Sequence, residues 1–409
     1  MRSPQGSVAT GRRHAYRPDL ACIDTPGDQV LSRLLAVSAN SAWNLINFRR
    51  GLLLALLEQR YRFVALVPPG EGVAELEQMG VGIRETPISP RGLSPSSDLR
   101  LLRSYWRDLR QLKPDAFLGF TAKPNIYGAI AAHRNGIPVI ANITGLGTGF
   151  LSGRMLEVIL SQLYRTALAN AEKVFFHNRD DRDLFITRGL AREAQSEVIP
   201  GSGVNLNYFD ARSPTGKADP LFLFIGRLLR DKGIVEFVDA ARMVKRDFSG
   251  VRFQVLGALE PHPRSISAET LDQWKQEQVV EFLEPANDVR PFIEQADAVV
   301  LPSYREGLPR ALLEASAMGR AVIGSDVPGC RDVVEQGVTG YLCEPYSAQS
   351  LASAMIKFCV LSPDHRASIG LEARRKAERE FGEQQVIDAY TATLESIFAA
   401  RLAADRGES

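Results

Sequence analysis

The stretch VVLPSYREGLPRALLEASAMGRAVIG, residues 299–324, decides the fold of this chain. Its first residues continue an apolar run, 298–301, and a run without alternation predicts a strand buried on both faces, as in a parallel sheet. After the loop SYREGL, Pro309 stands where a first helical residue belongs, and Gly319 follows the helix formers of 310–318. A second apolar run, 321–324, completes a strand–loop–helix–strand unit.

Two carboxylates in this unit, Glu306 and Glu314, stand eight positions apart. In one continuous helix they would lie roughly 12 Å apart along the axis and about 80° apart around it, too far to flank one bond as an acid/base pair. With the helix starting at Pro309, Glu306 belongs to the loop after a strand and Glu314 points back toward the helix start. Both can then hold one elongated ligand, with the free NH groups of the helix start available for phosphate. A loop charge and a solvated helix carboxylate are the simpler alternative.

The run EGLPRALLEA, together with the later DVPG and GVTGYL, resembles the E-x7-E segment of retaining nucleotide-sugar glycosyltransferases of GT-B architecture, glycosyltransferase family 4 or group 1. In that family the first Glu contacts the donor sugar and the second holds the ribose hydroxyls of the nucleotide. The resemblance therefore implies a sugar contact for Glu306 and a ribose contact for Glu314. The predicted donor-binding residues of this segment are Glu306, Gly307, Leu308, Pro309, Arg310 and Glu314.

A second donor element is the run LFLFIGRLLRDKGIVEF, residues 221–237. Its strand delivers Gly226 and Arg227, and Lys232 precedes a helix that begins near Ile234. The planar guanidinium of Arg can donate two hydrogen bonds to a diphosphate, and the ammonium of Lys can add a positive charge to the same group. The alternative is that both are solvated loop cations, which would give the same pattern. Because GRLLRDKG resembles the phosphate-binding element of the same family, the prediction is extended to these residues. We expect Arg227 and Lys232 to act in catalysis with Glu306, and Gly226, Arg227, Lys232 and Gly257 to bind donor.

The acceptor side is predicted from TAKPNIYGAIAAHRNGIPVIANITGLGTGF, residues 121–150, which is similar to bacterial enzymes that extend a sugar carried on bactoprenol diphosphate, N-acetylgalactosaminyltransferases among them. Thr144 stands roughly where related enzymes often place a His, so the group that activates the acceptor is not identified. His177 closes a predicted strand at the ligand-bearing edge, although a lone His is more often structural. The acceptor-side candidates are Asn47, Arg49, Lys123, Asn125, Thr144, Gly145, His177 and Asn178.

The alternation of strands with helices of ten or more residues predicts an α/β protein, and the resemblance implies a GT-B architecture of two Rossmann-like doubly wound parallel-sheet domains that face a central cleft. The segment 201–220 is rich in Gly, Asn, Ser and Pro and is the predicted linker. The expected divisions are a flexible extension at 1–30, an acceptor-binding domain at 31–200, a nucleotide-sugar-binding domain at 221–382, and a helix at 383–409 that crosses back to the first domain.

Several function classes are disfavoured. No G-x-G-x-x-G follows the first strand, as a simple dinucleotide-binding dehydrogenase requires. Asp181 and Asp183 form a D-x-D, but Asn178 three residues before Asp181 matches a helix cap, so no metal site is predicted. A net charge of +1 gives no general field for nucleic acid, and the four cysteines, without C-x-x-C spacing, fit a reducing cytosol. No cofactor is expected.

Residues 99–113, LRLLRSYWRDLRQLK, form a basic amphipathic segment. Leu99, Leu102, Trp106 and Leu109 recur at helical spacing, and five cations stand against one acid, Asp108. This pattern predicts reversible docking on the cytoplasmic face of the cell membrane, and no apolar run reaches the ~18 residues of a membrane span. An ordinary helix packed on the sheet has the same period and is the alternative.

The resemblance implies an enzyme that transfers an N-acetylhexosamine or hexose from a nucleotide diphosphate sugar, with UDP favoured, to a polyprenyl-diphosphate-linked saccharide with retention of anomeric configuration. Such a reaction belongs to surface polysaccharide or glycoprotein glycan assembly. The expected location is the cytoplasm, peripherally on the inner face of the cell membrane. Two alternatives stay open: a nucleotide-sugar epimerase of similar fold and a non-catalytic sugar-binding protein.

Overall fold

The structure is a computed structural model that describes residues 33–89, 94–145 and 154–406. The predicted N-terminal extension, Cys22 and residues 146–149 of the TGLGTG cluster lie outside the described residues. All helices, strands and contacts given below belong to the three described ranges.

A parallel sheet of seven strands forms the first half of the described chain. Its spatial order is β3-β2-β1-β4-β5-β6-β7, and continuous apolar sequence explains why the inner strands are buried on both faces. The strands are β1 (Leu34–Ser38), β2 (Arg62–Val67), β3 (Gly82–Glu85), β4 (Ala116–Gly119), β5 (Val139–Ile143), β6 (Lys173–Phe176) and β7 (Ser196–Val198). The helices are α1 (Ala42–Glu58), α2 (Val73–Gln78), α3 (Pro95–Leu112), α4 (Ala129–Arg134), α5 (Arg154–Leu168) and α6 (Arg179–Thr187), with a π-helical turn at Pro124–Gly128 leading into α4.

A second parallel sheet of six strands follows, in the order β10-β9-β8-β11-β12-β13. Its strands are β8 (Leu221–Ile225), β9 (Arg252–Leu256), β10 (Glu281–Leu283), β11 (Ala298–Leu301), β12 (Ala321–Ser325) and β13 (Gly340–Cys343). The helices are α7 (Ile234–Asp247), α8 (Ala268–Glu277), α9 (Arg290–Gln295), α10 (Arg310–Ala317), α11 (Cys330–Val333), α12 (Ala348–Cys359), α13 (Pro363–Glu380) and α14 (Glu383–Asp405). The two sheets confirm the predicted α/β class.

Strand order reverses between β1 and β4 in the first sheet and between β8 and β11 in the second. In the second sheet Ala298 pairs with Phe222 and Val300 with Phe224, so the loops after β8 and β11 leave the same edge side by side. Such reversal points leave a crevice at the carboxyl ends of the strands, where α/β proteins bind ligands. The loops that carry Lys232 and Glu306 both begin there.

The last helix, α14, packs on the first sheet although it follows the second in sequence. Val386, Tyr390 and Leu394 share a buried core with Leu35 and Val37 of β1. Among the described residues no helix is both long and apolar enough to cross a bilayer.

Two local predictions were wrong in detail. Helix α10 begins at Arg310, with Pro309 as the residue before it, and β6 ends at Phe176, so His177 follows the strand instead of closing it. In α3 the stripe that packs inward is Leu101, Tyr105 and Leu109. Tyr105 can be buried because its hydroxyl lies 2.7 Å from that of Ser38, which gives its polar end a partner. Of the predicted docking stripe, Leu99 and Trp106 are exposed, whereas Leu109 is buried.

Candidate active site

The loop after β11 places Glu306 at the reversal point of the second sheet. The ammonium group of Lys232 donates a hydrogen bond to Glu306 Oε1, and the buried hydroxyl of Ser303 donates to the same oxygen at 2.7 Å. The chain next to Lys232 lies close to the loop that carries Glu306, because Gly233 packs against the carbonyl group of Pro302. Gly233 has a φ of 74°, and a Cβ at this position would collide with that carbonyl group. The structure therefore brings together Lys232 and Glu306, which were predicted separately.

Glu314 is buried on α10, and Arg310 Nε donates to its Oε1 at 2.6 Å. Burial raises the pKa of Glu314, and the charge of Arg310 opposes that rise. Arg310 also donates to the backbone oxygen of Asn47 in α1, and its guanidinium carbon lies 5.5 Å from the centre of the Phe48 ring. The predicted ribose contact is thus tied through Arg310 to the first domain.

Arg227 has a different partner from Lys232. Its Nη1 donates to Glu260 Oε2 at 3.5 Å, and its side chain is half-exposed. Gly226 and Gly257 follow the neighbouring strands β8 and β9, as expected for a loop pair that approaches a phosphate. Arg227 and Lys232 are therefore held by separate carboxylates and do not share one partner in this structure.

Residues of the first domain hold the loop that carries Glu306. Asn178 Nδ2 donates to the backbone oxygen of Gly307 at 2.7 Å, and Arg305 pairs with the carboxylate of Asp181. Gly307 also lies so close to the carbonyl oxygen of Thr144 that any Cβ at position 307 would collide with it. The sugar end of the predicted site is consequently built from both domains.

The two carboxylates of the D-x-D have unlike surroundings. Asp181 is fully buried, and burial raises its pKa despite the nearby positive charge of Arg305. Asp183 is exposed and accepts from Arg182 at 3.0 Å. Asn178 Oδ1 accepts from the backbone NH of Asp181 at 2.7 Å, which is the predicted helix cap. Within the described ranges no group of three His, Cys, Asp or Glu side chains is placed to hold a metal ion.

A buried polar network lies at the carboxyl edge of the first sheet. Arg49 Nη1 donates to the backbone oxygen of Gly201 at 3.1 Å, and its Nη2 donates to Asn142 Oδ1 at 3.4 Å. His177 Nε2 lies 2.8 Å from the same oxygen and 3.3 Å from Arg49 Nη2. Because an amide oxygen only accepts, the tautomer with the proton on Nε2 satisfies the shorter of these two contacts. Asn142 Nδ2 donates to Tyr390 Oη at 2.8 Å, so α14 is part of this network.

His177 is neutral in this setting. Burial lowers its pKa well below the ordinary value, and the adjacent charge of Arg49 lowers it further. With the proton on Nε2, Nδ1 carries the lone pair. This nitrogen lies on the side of Gly201, next to Leu308 of the loop that follows Glu306.

Lys123 and Asn125, two further acceptor-side candidates, make hydrogen bonds within the first domain. Lys123 Nζ donates to Asp98 Oδ1 at 2.8 Å, and both side chains are largely buried. Asn125 Nδ2 donates to the backbone oxygen of Asn142 at 2.7 Å. Both side chains therefore use a hydrogen-bonding group on contacts that stabilise the carboxyl edge of the first sheet.

Several residues of the candidate site were not predicted. Asp181 and Arg305 link the two domains, and Asn40 Oδ1 and Thr121 Oγ1 are buried without a partner among the described residues. Asn40 and Thr121 follow β1 and β4, the strands at the reversal point of the first sheet. A signal was present in the sequence, since polar residues directly after two apolar strands occupy ligand-binding positions in such sheets.

Two ranges of this chain match known protein families. Residues 209–376 match the family of glycosyl transferases group 1, and residues 47–201 match the glycosyl transferase 4-like domain. The first range contains Lys232, Glu306 and Glu314. The second contains Arg49 and His177.

Two curated relatives and one solved structure are similar over most of the chain. The N,N'-diacetylbacillosaminyl-diphospho-undecaprenol alpha-1,3-N-acetylgalactosaminyltransferase of Campylobacter jejuni is 26% identical over 345 residues, 80% of this chain and 89% of that protein. The UDP-Gal:alpha-D-GlcNAc-diphosphoundecaprenol alpha-1,3-galactosyltransferase of Escherichia coli is 24% identical over 285 residues, 66% of this chain and 73% of that protein. The crystal structure of Anabaena HepE in complex with UDP-glucose is 20% identical with a TM-score of 0.72, and covers 89% of this chain and 100% of that chain. That structural likeness confirms the GT-B fold.

Proposed function

We propose that this chain, which belongs to the group 1 glycosyltransferases, moves a hexose or N-acetylhexosamine from a UDP-sugar to a saccharide carried on polyprenyl diphosphate, with retention of anomeric configuration. Relatives that use undecaprenyl-diphosphate-linked sugars support the acceptor class, and the fold shared with a protein that binds UDP-glucose supports the donor class. The observation that carries the proposal is the Lys232–Glu306–Ser303 cluster at the reversal point of the second sheet.

Each end of the donor has a matching group. An ionised carboxylate only accepts hydrogen bonds, so Glu314 suits the two ribose hydroxyls and Glu306 suits a hydroxyl of the sugar. Lys232 lies beside Glu306 and is positioned to approach the phosphate next to the sugar. When the diphosphate departs, Lys232 and the first NH groups of α10 neutralise the charge that develops. Arg227 at the end of β8 adds a second cation for the same diphosphate.

Retention defines the geometry of the transfer. The bond between the anomeric carbon and the phosphate oxygen breaks, and a bond to the acceptor oxygen forms on the same face of the sugar. The departing phosphate oxygen is therefore next to the acceptor hydroxyl and can take its proton, which balances the reaction. Since Lys232 and the helix start supply positive charge, we propose that no metal ion or other cofactor takes part.

The acceptor is proposed to bind at the carboxyl edge of the first sheet. Asn40 and Thr121 offer buried oxygens that lack partners within the described part of the chain, and a saccharide hydroxyl can donate to each. A polyprenyl carrier keeps its tail in a bilayer, so we propose that the enzyme works peripherally on the cytoplasmic face of the cell membrane.

The test is a transfer assay with the purified chain. Short-chain polyprenyl-diphosphate saccharides are incubated with a panel of UDP-sugars, product mass identifies the sugar added, and NMR of the product gives the anomeric configuration. Glu306→Gln, which keeps the shape of the side chain, should abolish the product. Lack of transfer to every polyprenyl-linked acceptor, with transfer to another acceptor class, would overturn the proposed acceptor.

An epimerase of similar fold is the second candidate, because it would use the same donor site. It needs no acceptor, so a changed nucleotide sugar would appear when the chain is incubated with donor alone. The proposed transferase leaves the stereochemistry of the donor unchanged in that experiment.

A further inference from the structure

One turn of α5 exposes an unusual amount of apolar surface. Met155 is 80% exposed, Val158 62% and Ile159 44%. Their spacing of three and four residues puts them on one face of the helix. Scattered exposed apolar residues are ordinary, whereas a contiguous group of large ones marks a surface that meets a partner.

The outward face of α3 combines apolar and positive side chains. Leu99 is 46% and Trp106 40% exposed, and the guanidinium carbon of Arg110 lies 5.1 Å from the Trp106 ring centre. Every charged side chain that α3 and its C-terminal Lys113 expose is a cation, because Asp98 and Asp108 are buried. The exposed cations are Arg100, Arg103, Arg107, Arg110 and Lys113.

Both helices lie on the same side of the first sheet. Leu101 and Tyr105 of α3 share one buried core with Tyr164 and Leu168 of α5, and both helices pack against the helical segment that begins at Pro124. A helix that connects two parallel strands runs antiparallel to them, so α3 and α5 both begin at the carboxyl edge of the sheet. That edge carries Asn40 and Thr121, where the acceptor is proposed to bind.

We propose that these two helix faces form a single docking surface for an anionic lipid bilayer, with the apolar turn of α5 inserted at the boundary of headgroups and acyl chains and the α3 cations on the lipid phosphates. The docking surface consists of Leu99, Arg100, Arg103, Trp106 and Arg110 of α3 and Met155, Val158 and Ile159 of α5. The inference rests on the proposed function, because only a membrane-anchored acceptor requires the carboxyl edge of the first sheet to face a bilayer.

The positive charge of α3 favours an anionic bilayer over a second copy of the chain as the partner of this docking surface. Two copies that met through this surface would bring the α3 cations together, which is unfavourable. Glu157, the acid within the apolar turn, is paired with Arg188 at 2.5 Å. Apolar side chains framed by unpaired positive charge are the usual composition of a surface that binds anionic lipid.

The inference is tested by co-sedimentation of the full-length chain with vesicles, in the absence of donor and acceptor. One set of vesicles is phosphatidylcholine alone, and the other also contains phosphatidylglycerol. We expect binding to the anionic vesicles that falls with added salt. Arg100→Gln plus Arg103→Gln should weaken the partition coefficient about 25-fold, since each cation contributes about fivefold. Val158→Ser plus Ile159→Ser should weaken it at least about tenfold through lost apolar burial, with less effect of salt.

Val360→Ser plus Leu371→Ser is the matched control, because both side chains are at least half-exposed but belong to the second half of the chain. Arg107 is left unchanged because its Nε donates to buried Asp108 at 3.1 Å. Thermal unfolding checks that each variant is folded, and a variant that fails is replaced by Met155→Ser alone or Arg110→Gln alone.

Activity separates this inference from the proposed function. All docking variants should transfer sugar to a short-chain, water-soluble acceptor as the unchanged chain does, yet lose transfer to a long-chain acceptor embedded in vesicles. The docking inference is overturned if the unchanged chain does not bind anionic vesicles but still transfers sugar to the short-chain acceptor. Equal vesicle binding by the docking variants and the control would also overturn it, as would a dimer in vesicle-free solution that the α5 substitutions dissociate.

Discussion

Asp181→Asn should lower turnover far more than it weakens nucleotide binding. The side chain of Asp181 is fully buried and pairs with Arg305, the residue before Glu306, while the neighbouring Asn178 holds Gly307. Asn keeps the size of the side chain but removes the charge that orients Arg305. The loop that carries the proposed sugar contact then loses one of its attachments to the first domain.

The magnitude follows from burial. Removal of one partner of a fully buried ion pair costs about 3–5 kcal/mol, but Arg305 remains 26% exposed, and burial already raises the pKa of Asp181, so its charged form is imperfectly stabilised. We therefore expect a loss of about 1–2 kcal/mol in unfolding free energy. Displacement of the Glu306 loop by a fraction of an ångström to 1 Å should lower turnover about 10- to 100-fold.

Nucleotide affinity should change much less than turnover, because Glu314 lies on α10 and its partner Arg310 contacts Asn47 through a hydrogen bond that does not involve Asp181. The assay compares kcat at saturating substrates with the Kd of UDP from calorimetry, and records donor hydrolysis as a measure of water entry. Asp183→Asn is the control, since this exposed carboxylate pairs only at the surface with Arg182. Arg305→Gln should resemble Asp181→Asn, and the double variant should be little worse than either. Turnover within twofold of the unchanged chain, or equal losses of UDP binding and turnover, would refute the reasoning.

Other predictions use the same assays. Lys232→Ala should lower kcat about 100- to 1,000-fold even at saturating donor, since it removes a cation that stabilises the leaving group; near-normal kcat would exclude this role. Glu314→Gln should weaken UDP about 10- to 100-fold but 2′-deoxy-UDP less, as measured by calorimetry. Transfer should survive EDTA, and complete loss with rescue by a divalent ion would require a metal site. Because the pKa of His177 is lowered on folding, the unfolded chain binds its proton first as pH falls below about 6.5. Unfolding free energy should then drop by up to about 1.4 kcal/mol per pH unit, and thermal melts of His177→Asn should lack that component.

The sequence predicted the features that depend on local chemistry. Continuous apolar runs identified β11 and β12, and the Pro309 and Gly319 signals bracketed the helix between them within one residue. The Asn178 cap is equally local, because donor and acceptor are three residues apart. The strand–loop–helix–strand unit is therefore predictable from its own residues.

Partners distant in sequence could not be predicted in the same way. Arg305 and Asp181 are 124 positions apart, and nothing in either local segment selects the other. The choice of the buried face of α3 depends on distance in the same way, since apolar residues fit two phases of the helix and the contact that decides between them joins Tyr105 and Ser38, 67 positions apart. Period is a local property of a helix, whereas the face that packs inward depends on the neighbours that the fold supplies.

The contacts between the two halves imply that donor binding and domain approach are coupled. Glu306 is followed by Gly307, whose backbone oxygen accepts from Asn178, and Glu314 is held by Arg310, which reaches the backbone of Asn47. Both proposed donor contacts are thus connected to the first domain by one further hydrogen bond. A donor that orders either carboxylate also favours the closed arrangement, and by reciprocity an acceptor that brings the domains together tightens donor binding. The enzyme would then complete its site around the sugar only when both substrates are present, which limits transfer of the sugar to water.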